Sequence, residues 1–284
     1  MLRLTRENIT PAVIDSIART ENPRLQEILS SLITHLHEVV RETNLTHEEW
    51  EVAIDFLLQA GQISDDKRNE FILMSDIMGI SSLVDIVNSH SEGTETSVLG
   101  PFFVDGAEQL EVGGDMIGDN NGEPVVLSGR VLTTDGMPIE GALLDIWQNA
   151  DNGLYDSQDA ALDGPNLRCK MFTNANGEYR VTTVKPKPYT VPNDGPVGDI
   201  LRAVGRHPWR PAHFHFKVEK SGYHPLVTEL FDPNDDFLDE DAVFGVRETL
   251  VTPFDLTDSE EEASRFNVRS PFYKVAYDFV LAPA

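Results

Sequence analysis

The apolar residues of this 284-residue chain change their spacing once, near Val98. That change restricts what it can fold into more than any other feature. Before it, Leu25, Ile28, Leu29, Leu32, Ile33, Leu36, Val39 and Val40 recur at steps of three and four, the stripe of an amphipathic helix. Asn22 stands where an N-cap belongs and Pro23 at the first helical position. Thr46 and Glu49 form a capping box for a second helix through Ile54, Leu57 and Leu58. "SDDKRNEFILMSDIMG" predicts a third helix and "SSLVDIVN" a short fourth. Past Val98 the chain alternates around turns at Asp135-Gly136 and Asn176-Gly177, and "HFHFKVEK", "LVTELF" and "FYKVAYDFVL" supply further strands. Short strands without long intervening helices predict an antiparallel β-sandwich. The expected fold is α+β, with a helical region over residues 1–96 and a β-sandwich over 97–284. The helical stripes have to be buried against the second half, a partner chain, or both.

Composition narrows the partners. Lys and Arg number 22 against 48 Asp and Glu, a formal charge of -26, and such a surface repels the phosphates of nucleic acid. Solubility is the plain reading of the acidity. The one cysteine, Cys169, rules out a disulfide within the chain and fits a reducing cytoplasm. No apolar run approaches the roughly 20 residues of a membrane span. "MLRLTRENIT" lacks the apolar core of a secretory signal. The expectation is a soluble cytoplasmic protein.

Two histidine pairs have the same spacing and different meanings. His35 and His37 lie on the helical stripe, where two residues turn the side chain by about 200°, so the rings diverge. His213 and His215 lie in an alternating segment, where i and i+2 point to one side while Phe214 and Phe216 point to the other. That pair is either the start of a metal site or two polar residues on a solvated face. The chain has no CxxC that would supply thiolates to zinc. "DPNDDFLDED" fails as a calcium loop, because Phe237 replaces the turning glycine and Val243 the bidentate Glu. It reads as a solvated acidic loop. "GLYD" and "KPYTVP" instead place tyrosines in irregular segments of the β half. A phenol ligates well only when a strong Lewis acid removes its proton, and ferric iron is such an acid.

With these residues in place, "IEGALLDIWQNADNGLYD", "GEYRVTTVKPKPYTVPNDGPVG" and "GRHPWRPAHFHFKV" resemble the intradiol ring-cleavage dioxygenases, and the resemblance covers essentially the whole chain. It implies one non-haem Fe(III) per chain, with Tyr155 and His213 as equatorial ligands and Tyr189 and His215 as axial ones. It makes Tyr189 a base as well as a ligand. It makes Arg210 the guanidinium that stabilises charge on the substrate ring; the alternative is an ion pair with a carboxylate. Tyr179, in a regular strand, reads as structural. The implied reaction breaks the bond between two adjacent hydroxylated ring carbons and places both atoms of O2 in the product.

"PYTVPNDGPVG", "RHPWRPAH" and "LDEDAVFGV" are similar to the hydroxyquinol-cleaving branch, the alternative within the family being catechol or chlorocatechol. The resemblance lines the substrate pocket with Leu73, Asp76, Val98, Gly100, Pro101, Phe102, Val191, Pro192, Arg210 and Val243. Asp76 is an acceptor for a third ring hydroxyl, or else a helix cap. Glu229 stands where catechol-cleaving relatives commonly have Gln, so it is protonated, paired or turned away. The resemblance also implies a homodimer through the helical region, with phospholipid or a fatty chain bound there. A non-catalytic transthyretin-like sandwich that binds an aromatic ligand is the reading from another class, and it predicts a colourless protein without iron. Extradiol cleavage, which uses Fe(II) on two His and a carboxylate, has no need of the two tyrosines.

Overall fold

Asn22 Oδ1 accepts from the backbone N–H of Arg24 and Leu25 at 3.0 and 3.1 Å, and helix α2 follows at once (Pro23–Thr43), after a short α1 (Ile9–Ser16) that the periodicity did not signal. Thr46 and Glu49 exchange the two bonds of a capping box at the head of α3 (His47–Ile63). The structure, a computed structural model, describes residues 3–65 and 68–284. The third predicted helix is shorter than its pattern. Asn69 caps α4 (Glu70–Ile77) by accepting from Phe71 and Ile72, and the predicted start at Ser64 runs across residues 66–67, which lie outside the described set. Gly79 then opens α5 (Ile80–Asn88).

The chain forms two compact units, Met1–Gln59 and Ala60–Ala284. In the first, Thr10 Oγ1 lies 2.9 Å from His37 Nδ1 and joins α1 to α2. No residue of α2 is buried, and Leu32 and Leu36 of its apolar stripe are more than half exposed. Among the described residues, no helix is long and apolar enough to cross a membrane.

The second unit holds the strands: β1 (Gly114–Asp115), β2 (Pro124–Thr133), β3 (Leu143–Trp147), β4 (Arg168–Phe172), β5 (Glu178–Val184) and β6 (Tyr189–Thr190). After α6 (Pro196–Ala203) come β7 (Trp209–Arg210), β8 (His213–Glu219), β9 (Leu226–Phe231) and β10 (Asp255–Thr257), and after α7 (Glu260–Phe266) come β11 (Phe272–Ala276) and β12 (Phe279–Leu281). One sheet has the order β4-β3-β8-β9 and is antiparallel throughout. The other runs β1-β5-β2-β11-β10 with β12 also on β2, and its β1–β5, β2–β11 and β2–β12 pairings are parallel. The turns at Gly136 and Gly177 form with the left-handed backbone that glycine allows, φ 78° and 72°. The Gly136 turn folds the chain back on the end of β2, where Leu132 bridges Pro138, before it crosses to β3 of the other sheet, and the Gly177 turn leads directly from β4 of one sheet to β5 of the other. The side-chain pattern gave the turns. It could not say which strands pair across them.

The core lies between the sheets. Leu144 and Ile146 of β3, Phe214, Phe216 and Val218 of β8, and Leu226 and Leu230 of β9 meet Val125, Leu127, Tyr179, Val181 and Phe279. Tyr179 is structural, its hydroxyl donating to the Tyr277 carbonyl at 2.9 Å. Truncating Phe216, which no water reaches, is expected to cost about 3–5 kcal/mol. Cys169 sits in the same core, and burial, with a smaller contribution from Asp145, pushes its thiol up to about 12. A thiol reagent at pH 8 should therefore leave the folded protein unlabelled and react only as the chain unfolds. Rapid labelling of the native protein would contradict this core.

Candidate metal centre and active site

Antiparallel register assembles the site on the outer face of the four-stranded sheet. His215 of β8 lies directly opposite Trp147 of β3 on one side and Glu229 of β9 on the other, so the three share a face. Trp147 stacks flat on the His215 ring, centroids 4.8 Å apart. His213, two residues earlier, points the same way. The solvated-face alternative does not hold: both imidazoles are buried, because Phe102, Trp147, Tyr155 and Tyr189 cover this end of the sheet. The ribbon β6–β7 delivers Tyr189 and Arg210 as register partners. Tyr155 is set in a turn after β3, where Gly153 takes a left-handed φ of 79° and Gln158 Oε1 accepts the Tyr155 N–H at 3.1 Å.

The four predicted ligands come together. Tyr155 Oη lies 3.0 Å from His215 Nε2 and 3.5 Å from His213 Nε2, and the two Nε2 atoms are 3.0 Å apart. The Tyr155 and Tyr189 rings meet edge to face at 5.3 Å, and Tyr189 lies 5.7 Å from the His213 ring. Burial, then the Arg210 charge, lowers His213 to about 3, and burial also holds His215 well below its ordinary value, so both rings are neutral. Their contacts with Glu229 Oε1, at 3.4 and 3.3 Å, are therefore polar contacts between neutral imidazoles and a carboxylate.

The donor set fits a cation. His213 Nδ1 is 2.7 Å from the Pro211 carbonyl, an acceptor only, so Nδ1 carries the proton and Nε2 a lone pair. If His215 holds its proton on Nδ1, toward Glu229, two lone pairs face each other at 3.0 Å; if on Nε2, a bare Nδ1 faces a carboxylate. His215 Nδ1 is in fact buried without an aligned hydrogen bond. A metal ion accepting both Nε2 lone pairs removes the conflict, with Glu229 on the far side of the His215 ring as its outer acceptor. His213, His215 and Glu229 could by themselves suggest a two-His, one-carboxylate site. Glu229 Oε1 does lie 3.4 Å from His213 Nε2, but both Glu229 oxygens are held by Arg210, whereas Tyr155 Oη stands 3.0 and 3.5 Å from the two Nε2 atoms. Burial raises both phenols, so ionising them at neutral pH takes a strong Lewis acid.

Arg210 is buried between two carboxylates. It donates to Glu229 at 2.8 and 3.0 Å and to Asp241 at 3.1 and 3.2 Å, and its Nη1 is also 3.2 Å from His213 Nε2. Glu229 is thus paired. Burial alone raises its carboxyl, but the Arg210 guanidinium and the Ser97 hydroxyl outweigh that and leave it below the usual range. Ser97 Oγ adds a contact at 2.6 Å. The acidic loop is not the solvated one the composition suggested: Asp232 is buried on Lys185 at 2.7 Å and Asp241 on Arg210. Ser97, Asp241 and Gly245 are parts of the site that sequence reasoning missed.

Beside the centre is a cavity of about 190 Å³ lined by Leu73, Asp76, Pro101, Phe102 and Pro192, and also by Arg68, Asn69, Ser157 and Gln158, which were not foreseen. Val98, Val191 and Val243 are buried but do not line this cavity, nor does Arg210. Gly100, φ 70°, lies against the His215 ring, where an added Cβ would stand 3.4 Å from Cε1. Asp76 caps no helix. It sits in the last turn of α4, near the negative end of the helix dipole. Burial raises its pKa, and Ser81 and Arg210 offset that only partly.

The family description "Catechol dioxygenase N terminus" matches residues 22–96 and "Dioxygenase" residues 98–283. The chain is 43% identical to a hydroxyquinol 1,2-dioxygenase of Rhizobium sp. (strain MTP-10005), across 97% of this chain and 95% of that protein. It is 42% identical to a 6-chlorohydroxyquinol 1,2-dioxygenase of Cupriavidus pinatubonensis, across 100% and 99%. The solved structure of a hydroxyquinol 1,2-dioxygenase from Pseudomonas putida DLL-E4 superposes with a TM-score of 0.91 at 41% identity, across 98% and 99% of the two chains. The chain belongs to the intradiol ring-cleavage dioxygenases, non-haem iron enzymes.

Occupancy of the centre should show in stability, because a metal that binds only the folded state raises Tm. Ferric iron added to iron-free protein is expected to raise Tm by several degrees in scanning fluorimetry, and His213→Ala and His215→Ala should each abolish the rise. An unchanged rise in both variants would place the metal elsewhere.

Proposed function

We propose that this enzyme opens hydroxyquinol (benzene-1,2,4-triol) with O2 between its two adjacent hydroxylated carbons, giving 3-hydroxy-cis,cis-muconate, the enol of maleylacetate. The observation that carries the substrate is Asp76: a buried carboxyl in the wall of the cavity beside the four donors, its pKa raised by that burial. A third ring hydroxyl gives that carboxyl a donor, and catechol leaves it unmet. The similarity to the hydroxyquinol-cleaving relatives, over whole chains, supports the same substrate.

Tyr155, Tyr189, His213 and His215 are the groups that would hold one Fe(III). Bound there, ferric iron would supply a Lewis acid for the two diol oxygens, leaving the ring open to attack by O2. The phenolates of Tyr155 and Tyr189 would offset two of its three charges, which suits a site closed to water. Tyr189 Oη takes up one proton of the diol and returns to the neutral phenol that its burial favours. Arg210 offers its guanidinium to the charge that develops on the ring, a donor already in place before the reaction begins. Phe102, stacked on Tyr155 at 4.5 Å, and Pro101 close the apolar side of the cavity. The unburied stripe of α2 supports a homodimer through the helical region 1–96, the sandwich 97–284 being the catalytic part, with a phospholipid chain as the other occupant of that stripe. The single buried thiol fits a cytoplasmic protein.

Oxygen uptake with hydroxyquinol, catechol and chlorocatechol, read together with the maleylacetate formed, tests the substrate; equal kcat/KM for all three would remove hydroxyquinol as the preferred one. The purified enzyme should be red from phenolate-to-iron charge transfer, and a colourless, iron-free protein would leave only a binding module. Arg210→Ala should keep iron and colour and lose most turnover, by roughly a hundredfold or more. Asp76→Asn should compress the preference for hydroxyquinol over catechol while raising Tm. The sign follows from the raised pKa: the folded state prefers protonated Asp76, so ionisation costs stability as pH rises past the unfolded value near 3.8. The Tm gain should therefore be present at pH 7 and vanish near pH 3.

A further inference from the structure

A guanidinium has five N–H bonds, and in Arg210 each has an acceptor. Nε donates to Asp241 Oδ1 at 3.1 Å, Nη2 to Asp241 Oδ2 at 3.2 Å and Glu229 Oε2 at 3.0 Å, and Nη1 to Glu229 Oε1 at 2.8 Å. Four N–H bonds are thus held by carboxylates. The fifth, on Nη1, faces His213 Nε2 at 3.2 Å, the atom that turns toward the metal centre.

Asp241 is itself fixed before it meets Arg210. The Gly245 N–H donates to its Oδ2 at 2.9 Å and the Val243 N–H to its Oδ1 at 3.3 Å. The loop is tied down at both sides, by Ala242 N–H to the Trp209 carbonyl at 3.0 Å and by Ser82 Oγ to the Phe244 carbonyl at 2.6 Å. Gly245 does not have a left-handed φ, so it is there for room: a Cβ would stand 2.6 Å from Arg210 Nη2, 2.9 Å from Glu229 Oε2 and 3.0 Å from Asp241 Oδ2. All three are ends of buried, mutually bonded side chains with little freedom to yield.

Resting on the reading of Arg210 as the charge-stabilising group, we propose that Asp241, preset by the 241–245 loop, is a positioning residue that leaves Arg210 one free N–H and aims it at the bound ring. With the His213 Nε2 lone pair given to a metal, that N–H would be shared only between the Tyr189 hydroxyl, which Arg210 also faces, and the bound substrate. Asp241 touches neither the metal ligands nor the lined cavity; its charge is felt at His213 and Asp76, and Gly245→Ala, which leaves that charge in place, isolates its hold on Arg210.

Asp241→Asn, which keeps the shape, and Gly245→Ala, which keeps every charge, should each lower kcat by about a hundredfold, the scale of a misplaced catalytic group. KM should stay within about threefold, and iron content and the charge-transfer band should be unchanged. In iron-free protein, the Arg210 Nε–H signal in a ¹⁵N–¹H spectrum should be protected from exchange and lose that protection in Asp241→Ala, which has no side-chain acceptor. In an Arg210→Gln background, Asp241→Asn should lower kcat no further. Parental kcat in both single variants, an equal loss with Arg210 absent, or Nε–H protection that survives Asp241→Ala would each overturn the proposal. If Arg210→Gln alone keeps parental kcat, the reading of Arg210 fails instead, and the Nε–H measurement still decides whether Asp241 holds it.

Discussion

The two-residue period of β8 is the constraint on which the rest of the molecule depends. Phe214, Phe216 and Val218 pass into the core between the sheets, and by the same alternation His213 and His215 emerge together on the other face. A slip of one residue would turn the phenylalanines out and bury the imidazoles among aliphatic groups, so core packing and site assembly are a single choice of register. Neighbouring strands extend it. Trp147 and Glu229 share the face of His215 only because β3 and β9 pair with β8 in that register, and the turn after β3 and the β6–β7 ribbon then need only lay Tyr155 and Tyr189 over a prepared surface.

That surface is costly to maintain. Asp76, Glu229 and Asp241 are three buried carboxyl groups around one buried guanidinium, and a buried ion cluster of this kind seldom stabilises a fold relative to apolar packing. Asp76 shows the cost most directly, since it lies at the wrong end of a helix dipole with its pKa raised. The sandwich can carry this because its core is separate from the site: Leu144, Ile146, Phe216 and Leu230 pack on the inner face whatever is charged on the outer one. Strain of this sort at one locus, in a fold otherwise consistent with its sequence, is the expected mark of a functional site.

Much of this was legible because local patterns control it. Asn22, Pro23 and the Thr46–Glu49 box act within a few residues, and they set the starts of α2 and α3 where the sequence placed them. His213 and His215 were separable from His35 and His37 by period alone. The tyrosines were different: nothing local distinguishes Tyr155 from Tyr223, and their place came from resemblance. The exchange of strands between sheets after Gly136 and at Gly177 was illegible because a turn signal fixes a reversal of direction, whereas pairing depends on which distant strand offers hydrogen bonds.

Asp241 shows why the remainder of the site was hidden. In sequence it stands in a run of acidic residues whose average property is solvation, and that is correct for Asp239 and Glu240 beside it. What separates Asp241 is not its own chemistry but the backbone after it. Two N–H groups and an empty Cβ position at Gly245 form a cradle that holds one carboxylate and admits one guanidinium. A glycine of ordinary φ four residues downstream leaves no turn signature, because its use is the space it vacates for residues 35 and 16 positions away, Arg210 and Glu229. Reading such a residue requires the third dimension, since steric exclusion between segments distant along the chain has no local pattern to betray it.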